Sequence, residues 1–429
     1  MTITFIGHGY VGLVTAAVFA DFGNTVYVIG HTKEKIENLK RGIIPIYEPG
    51  LAELVKKNIK AKRLIFTLDY KPSISESDIV FIAVGTPTTK TGDADLSSVL
   101  EVAQKIGQNL EGYSVVATKS TVPAGTNKKV KRILEDSKHQ GAQVDYASVP
   151  EFLREGSAIS DTTNPDRIVI GTQSKRAQEM LIKFHEPIKA PLVLTNFETA
   201  ELIKYAANAF LALKISYANA IAKLSEALGA DALKVLEGVG MDKRIGNMFL
   251  SPGPGYGGSC FPKDVRALIS IAKDNDYPFS LLEEVENINH QSRRDIVRKA
   301  RKVLGDVRGK KIGILGLSFK ANTDDMRDAP AIDIINLLQN DGAKISAFDP
   351  KSMEIAATML KNVNYAKDAY EVSKEADLLI ILTEWNEFRE LNFSDIKNKM
   401  KSPNIIDARN LYEPEIMKAK GFNYMGVGR

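Results

Sequence analysis

The only cysteine in the sequence, Cys260, stands in the stretch Ser251-Pro-Gly-Pro-Gly-Tyr-Gly-Gly-Ser-Cys260-Phe-Pro-Lys263-Asp264. Structural free cysteines are usually buried among apolar side chains. This one follows a glycine-rich run and precedes a lysine and an aspartate. Glycines let backbone N–H groups gather round an anion, and a neighbouring cation favours the thiolate. A nucleophilic thiol and an incidental thiol in a turn both fit that pattern. Lys204 and Asn208 are a second candidate pair: four residues apart, they share one face of a helix. A polar pair on an alanine-rich helix needs partners if buried. A solvated stripe and a site are equally compatible with the spacing.

The third candidate is Gly7-x-Gly9-x-x-Gly12, closing a first strand and opening a helix. In this turn the first glycine permits the bend, the second lets backbone approach a pyrophosphate, and the third lets the helix pack on the sheet. The helix N-terminus then offers N–H donors to phosphate. The motif therefore points to a dinucleotide. One usual element is missing. An NAD site carries Asp or Glu at the end of the second strand, whereas here the chain reads Val28-Ile29-Gly30-His31-Thr32-Lys33, with no acid before Glu34. His31, Thr32 and Lys33 could receive a 2′-phosphate, so NADP stands beside NAD; a loosely held ribose is the other reading.

The composition excludes several classes. One cysteine rules out an intrachain disulfide, a multi-cysteine zinc site and a cysteine-ligated cluster. The five histidines are widely separated, and no metal is expected. Net charge is +4, from 57 basic and 53 acidic residues among 429. That balance has no broad nucleic-acid footprint. The N-terminus lacks a basic, apolar leader, and no apolar run approaches ~18 residues. The expectation is a cytoplasmic enzyme that neither enters a membrane nor binds nucleic acid.

The elements that must position these residues alternate at first. Candidate strands are 2–6, 26–29, 64–67, 79–84, 115–118, 146–149, 168–170 and 192–194, with amphipathic stretches such as 11–22 and 96–110 between them. Such βαβ units imply a parallel sheet covered on both faces. From 198 to 228 the pattern becomes one long, alanine-rich helix of about 45 Å, ended by Gly229. A second helix is expected over 280–304. Alternation restarts at Lys311, with strands at 311–315, 345–348, 378–382 and 405–406 and a helix at 332–339. The expected fold is α/β: two Rossmann-like, doubly wound domains, residues 1–196 and 306–429, joined by a long-helix domain, 197–305. The two α/β segments read as a coarse architectural duplication.

The blocks GHGYVG (7–12), IPIYEPGL (44–51), VGTPT (84–88), STVPAGT (120–126), PEFLREG (150–156), ELIKYAANAFLALKISYANA (201–220), PGPGYGGSCFPKD (252–264), GLSFKANTDDMRDAP (316–330), ILTEWNEFREL (381–391) and DARNLY (407–412) together resemble the UDP-glucose/GDP-mannose dehydrogenase family over essentially the whole chain. The resemblance implies NAD-dependent, two-step oxidation of a sugar C6 alcohol to a carboxylate, by a homodimer built on the central domain. Cys260 would be the nucleophile, surrounded by Lys204, Asn208 and Asp264, with Thr121 and Glu155 near the cofactor or an ordered water. Gly7, Gly9, Val11, Gly12, Gly30, Lys35, Thr86, Lys263 and Arg327 would contact the dinucleotide. Glu151, Phe152, Leu153 and Arg154 would line the sugar-nucleotide site. Phe249, Leu250, Ser251, Pro252, Gly253 and Gly257 would wrap the sugar and its phosphates. Lys320 would reach the substrate from the C-terminal domain, and Arg244 would reach the partner subunit's substrate. Gly30 departs from the family, where Asp is usual.

The chemistry explains the residue types. An aldehyde has no suitable hydride until a nucleophile adds to it. A thiolate would give a thiohemiacetal, then a thioester, which water releases as acid. By resemblance the C-terminal blocks fit UDP-glucose better than GDP-mannose or UDP-N-acetyl-mannosamine. Two further readings remain. A two-electron 3-hydroxy-acid dehydrogenase would share the first domain and the Lys/Asn helix, but would need neither Cys260 nor residues 311–429. A nucleotide-binding sensor would need no such polar set.

Overall fold

The computed structural model describes residues 1–89 and 92–429. They form two compact units, Met1–Ala207 with Arg266–Ile271, and Asn208–Val265 with Ala272–Arg429. In the first unit eight strands form one sheet: β1 (Thr2–Ile6), β2 (Thr25–Ile29), β3 (Leu64–Thr67), β4 (Ile79–Ile82), β5 (Tyr113–Thr118), β6 (Gln143–Ser148), β7 (Ile168–Gly171) and β8 (Leu192–Thr195). Their order is β3-β2-β1-β4-β5-β6-β7-β8. Pairing is parallel throughout, except that β6 meets β7 antiparallel through Ser148 and Gly171. The central strands are covered on both faces, which explains runs such as Ile79-Val80-Phe81-Ile82, buried at every position.

The strand order reverses between β1 and β4, and in such sheets ligands bind outside the carboxyl ends of the strands at that point. Five segments leave those ends: Gly7–Gly9 after β1, Gly30–Lys35 after β2, Val84–Thr86 after β4, Lys119–Thr121 after β5 and Val149–Glu155 after β6. They hold most of the cofactor and sugar-site residues expected in the first 160 positions.

The second unit contains six parallel strands: β9 (Lys311–Leu315), β10 (Lys344–Phe348), β11 (Val363–Tyr365), β12 (Leu378–Ile381), β13 (Asn404–Asp407) and β14 (Asn423–Met425). Their order, β11-β10-β9-β12-β13-β14, repeats the order of the first six strands of the other sheet. The architectural duplication is thus present in topology. β11 and β14 have three residues each, too few for an alternating pattern to show, and the sequence reading lacks them.

The long helix runs Phe197–Leu228. Gly229 ends it at φ +71°, and the Ala230 N–H returns to the Ser225 carbonyl at 2.9 Å, a glycine C-terminal cap. The other long helix is Ser280–Leu304.

Candidate active site

The first glycine turn performs its three tasks with different atoms. Gly7 lies at φ +118°, and a Cβ there would stand 2.3 Å from the Ala83 carbonyl oxygen. A Cβ on Gly12 would stand 2.1 Å from the Gly7 carbonyl oxygen. At both positions a side chain would collide with protein backbone. Gly9 is exposed, would meet nothing within 4 Å, and precedes the helix Tyr10–Asp21, whose first turn has neither an acid nor a side-chain cap. The backbone donors of that turn have no side-chain cap, the arrangement a pyrophosphate would use. Val11 lies half-buried in that turn, and Lys35 is exposed on the helix Lys33–Lys40. The Thr86 hydroxyl donates to the Thr121 carbonyl at 2.9 Å, and Ser120 donates to Val84 at 2.7 Å. Those bonds tie the loop after β4 to the loop after β5.

The loop after β6 is held from below by Glu48. Its buried carboxylate accepts the Tyr10 hydroxyl, the Gly156 N–H at 2.6 Å and the Ala158 N–H at 2.7 Å. Burial, then the hydrogen bond to Glu48, raises the Tyr10 pKa far above its usual value. The loop carries Glu151, whose carboxylate lies 3.1 Å from the Lys204 ammonium. Lys204 is 3% exposed and Glu151 7%, so Lys204 is no solvated stripe residue. The Phe152 ring lies 3.6 Å from the Arg167 guanidinium and 5.3 Å from the Lys204 ammonium. Lys119, also buried, has its pKa pushed down to about 8, first by burial, against the pull of Glu151 and with the push of Lys204. Leu153 is half-buried and Glu155 buried. Arg154 instead turns to Asp161, bonding both oxygens at 2.9 and 2.7 Å. Three residues before Lys204 on the same helix, Glu201 accepts the N–H groups of Gly125 and Asn127 at 2.7 and 2.8 Å, pinning the STVPAGT loop.

In the second unit Cys260 is the residue before the helix Phe261–Asp274. It is half-buried, with its sulfur 3.5 Å from the Ser259 hydroxyl. A helix N-terminus favours a thiolate over a thiol. One turn on, the Asp264 N–H bonds the Cys260 carbonyl at 2.9 Å, so the two residues lie on one face. The Asp264 carboxylate is fully buried. It accepts from Asn208 at 2.6 Å and from Lys263 at 2.5 Å. Asn208, Lys263 and Asp264 therefore converge beside the thiol's own helix.

The loop before Cys260 is buried from Pro252 to Gly258. Its glycines face protein: a Cβ on Gly257 would stand 2.4 Å from the Asp328 carbonyl oxygen, and one on Gly258 2.8 Å from the Phe319 ring. The Asn219 side chain accepts the Gly253 N–H at 2.7 Å, and Asn289 accepts that of Tyr256 at 2.7 Å. Arg293 donates to the Tyr256 carbonyl at 2.8 Å. Phe249 stands at φ +65°, an uncommon conformation for a bulky residue, with Leu250 buried and Ser251 exposed behind it. Lys320 is half-buried, its ammonium 5.5 Å from the Phe319 ring. Arg327 pairs with Asp325 at 2.7 Å, and exposed Arg244 pairs with Asp242 at 2.6 Å. Among the described residues no three acidic, histidine or cysteine side chains gather as a metal site.

Family models match three consecutive parts of the chain. They are the UDP-glucose/GDP-mannose dehydrogenase NAD binding domain over residues 1–189, the central domain over 198–291 and the UDP binding domain over 313–414. The chain belongs to the UDP-glucose/GDP-mannose dehydrogenase family. It is 49% identical to UDP-glucose 6-dehydrogenase of Rhizobium meliloti, with 100% of both chains covered. It is 50% identical to UDP-glucose 6-dehydrogenase TuaD of Bacillus subtilis, covering 100% of this chain and 93% of that one. Among solved structures, a UDP-glucose dehydrogenase from the archaeon Pyrobaculum islandicum is 37% identical with a TM-score of 0.93, covering 99% of this chain and 97% of that one. With the family comes its cofactor, a nicotinamide dinucleotide of the NAD type.

Within this family member, several residues that shape the site are absent from the sequence reading: Glu48, Lys119, Glu201, Asn219, Asn289 and Arg293. Two carried a local signal. Glu48 and Glu201 are acids inside blocks that otherwise read as turn and apolar helix. Asn289 and Arg293 lie on the helix Ser280–Leu304 among other polar residues, and nothing in their spacing marks them.

Proposed function

We propose that this chain oxidises the C6 alcohol of UDP-glucose to the carboxylate of UDP-glucuronate in two steps. The full-length relatives sharing about half its residues bear the name of that activity. The observation that carries the reading is Cys260 at the N-terminus of its helix, with buried Asp264 one turn on, held by Asn208 and Lys263. A two-electron hydroxy-acid dehydrogenase has no use for a thiol there.

When bound, the nicotinamide ring accepts each hydride. Asp264, with a water held by Thr121, takes the hydroxyl proton as the first hydride leaves; Glu155 is the second choice. The Cys260 thiolate then forms a C–S bond to the aldehyde carbon. Lys204 and Asn208 stabilise the resulting alkoxide. Loss of the second hydride leaves a thioester on Cys260, and water cleaves that bond to release the acid and restore the thiol. The roles of Glu151 to Arg154, Phe249 to Gly253, Gly257 and Lys320 are to bind the sugar nucleotide. Gly7, Gly9, Val11, Gly12, Gly30, Lys35, Thr86, Lys263 and Arg327 bind the dinucleotide.

The functional parts proposed are 1–196 for the dinucleotide, 197–305 for dimerisation and the thiol, and 306–429 for UDP. Support for a homodimer comes from Phe210, Tyr217 and Leu224, spaced seven apart on the long helix and 61%, 48% and 53% exposed. That spacing makes one apolar stripe. A dimer would offer Arg244 to the neighbouring subunit's substrate. The cytoplasm, where the sugar nucleotide would be met, is the proposed location; among the described residues no helix is long and apolar enough to cross a membrane. Absorbance at 340 nm tests the reaction: limiting UDP-glucose should yield two reduced nicotinamides per sugar, and a yield of one would refute it.

A further inference from the structure

The ribose end of the dinucleotide site departs from what an NAD carboxylate requires. At the end of β2, where an NAD site carries an acid, this chain has Gly30. A Cβ there would lie 2.6 Å from Ile36 Cδ1 and 3.0 Å from His8 Nδ1. Ile36 is fully buried, so a side chain at position 30 would have to displace its terminal methyl and the His8 ring. Around that place stand His8, His31 and Lys35, with Glu34 in the first turn of the helix that follows. His8 comes from the glycine turn and is 7% exposed, and its Nδ1 has no hydrogen-bond partner among the described residues. The His31 ring lies 5.2 Å from it, centroid to centroid. His31 and Lys35 also act on His8 electrostatically, both lowering its pKa after burial has done so. Thr32 precedes the helix Lys33–Lys40 without capping it through its side chain, which leaves its hydroxyl unused at a helix N-terminus. An acceptor for ribose hydroxyls has thus been replaced by a buried unpaired imidazole nitrogen, two exposed bases and a helix N-terminus.

We infer that this chain takes its dinucleotide in the phosphorylated form, NADP⁺ in preference to NAD⁺, with the 2′-phosphate held by His8, His31, Thr32 and Lys35. The inference rests on the dinucleotide occupying the first glycine turn. A dianionic phosphate suits the site: it accepts from imidazole N–H, hydroxyl and ammonium donors at once, and charge-assisted bonds are the strong ones. The ribose hydroxyls of NAD⁺ would find donors but no carboxylate at the end of β2.

The test uses the adenylate half alone, with the purified full chain. Adenosine 2′,5′-bisphosphate and 5′-AMP are titrated in separate calorimetric runs at one fixed ionic strength. The bisphosphate should bind at least tenfold more tightly; a smaller ratio overturns the inference. In the double variant His31→Gln, Lys35→Gln, both at exposed positions, the ratio should drop at least fivefold; a smaller drop overturns the assignment to these side chains. In turnover, kcat/KM for NADP⁺ should exceed that for NAD⁺, and the reverse order overturns the preference. If neither cofactor supports UDP-glucose oxidation while the bisphosphate ratio holds, the substrate reading fails and the phosphate site stands.

Discussion

Replacing Glu48 with glutamine tests whether one buried carboxylate holds the loop that carries Glu151. Glu48 is 5% exposed, and its two oxygens serve three donors: the Tyr10 hydroxyl, the Gly156 N–H and the Ala158 N–H. Hydrogen bonds to a charged group contribute about 1.5–3 kcal/mol each. Glutamine keeps one oxygen and sets an NH₂ group where the other stood, so at least one donor faces another donor. The cost should be about 2–4 kcal/mol, and it should fall on the loop first. Amide exchange of the peptide spanning Gly156 and Ala158 should then speed up at least tenfold, since each 1.4 kcal/mol is a factor of ten. Because Glu151 on that loop pairs with Lys204, KM for the sugar nucleotide should rise more than kcat falls. Glu53→Gln, at an exposed position on the following helix, is the charge control and should change stability by no more than about 0.5 kcal/mol. Unchanged protection of Gly156 and Ala158 in Glu48→Gln would refute the assignment.

Cys260→Ser should still perform the first oxidation and release little acid, so product analysis should show aldehyde-level sugar nucleotide; full conversion to acid would remove Cys260 as nucleophile. Asn208→Asp sets a second carboxylate against Asp264, whose oxygen now accepts from Asn208 at 2.6 Å. Two such carboxylates do not both ionise, and kcat should fall by about 10²–10³; a rate within fivefold of the parent rejects the role. His185 is held neutral, its pKa lowered to about 3 by burial and then by Lys119. The unfolded chain binds the proton first, so stability should decline as pH falls from about 6.5 toward 3, by up to about 1.4 kcal/mol per unit. Urea unfolding at pH 7, 6 and 5 should show a shallower decline in His185→Leu, and an equal slope in both proteins would refute it.

What is encoded locally was readable from the chain. The helix 280–304 and the strands 2–6, 64–67 and 311–315 match the structure because periodicity and glycine stops act over a few residues. The glycine turn and the cysteine loop were legible as chemistry because each motif's residues are neighbours in sequence. Partners across the chain were not. Lys204 and Asn208 are buried because Glu151 and Asp264 meet them from 53 and 56 positions away. Glu48 reaches a loop 108 positions on, and no spacing rule couples such residues.

The sequence by itself determined which residues can do chemistry, the order α/β, helical, α/β, and the absence of an acid before Glu34. Only the tertiary structure decided which of those residues are buried and what they meet. It packs the glycines at 257 and 258 so closely against Asp328 and Phe319 that no side chain fits at either without a shift. It also set the side chains of Ile36 and His8 against Gly30, with the His8 Nδ1 unpaired among the described residues. The physical reason is the same in each case: composition and spacing set what a side chain can offer, while burial and partners, which depend on distant segments, set whether the offer is used.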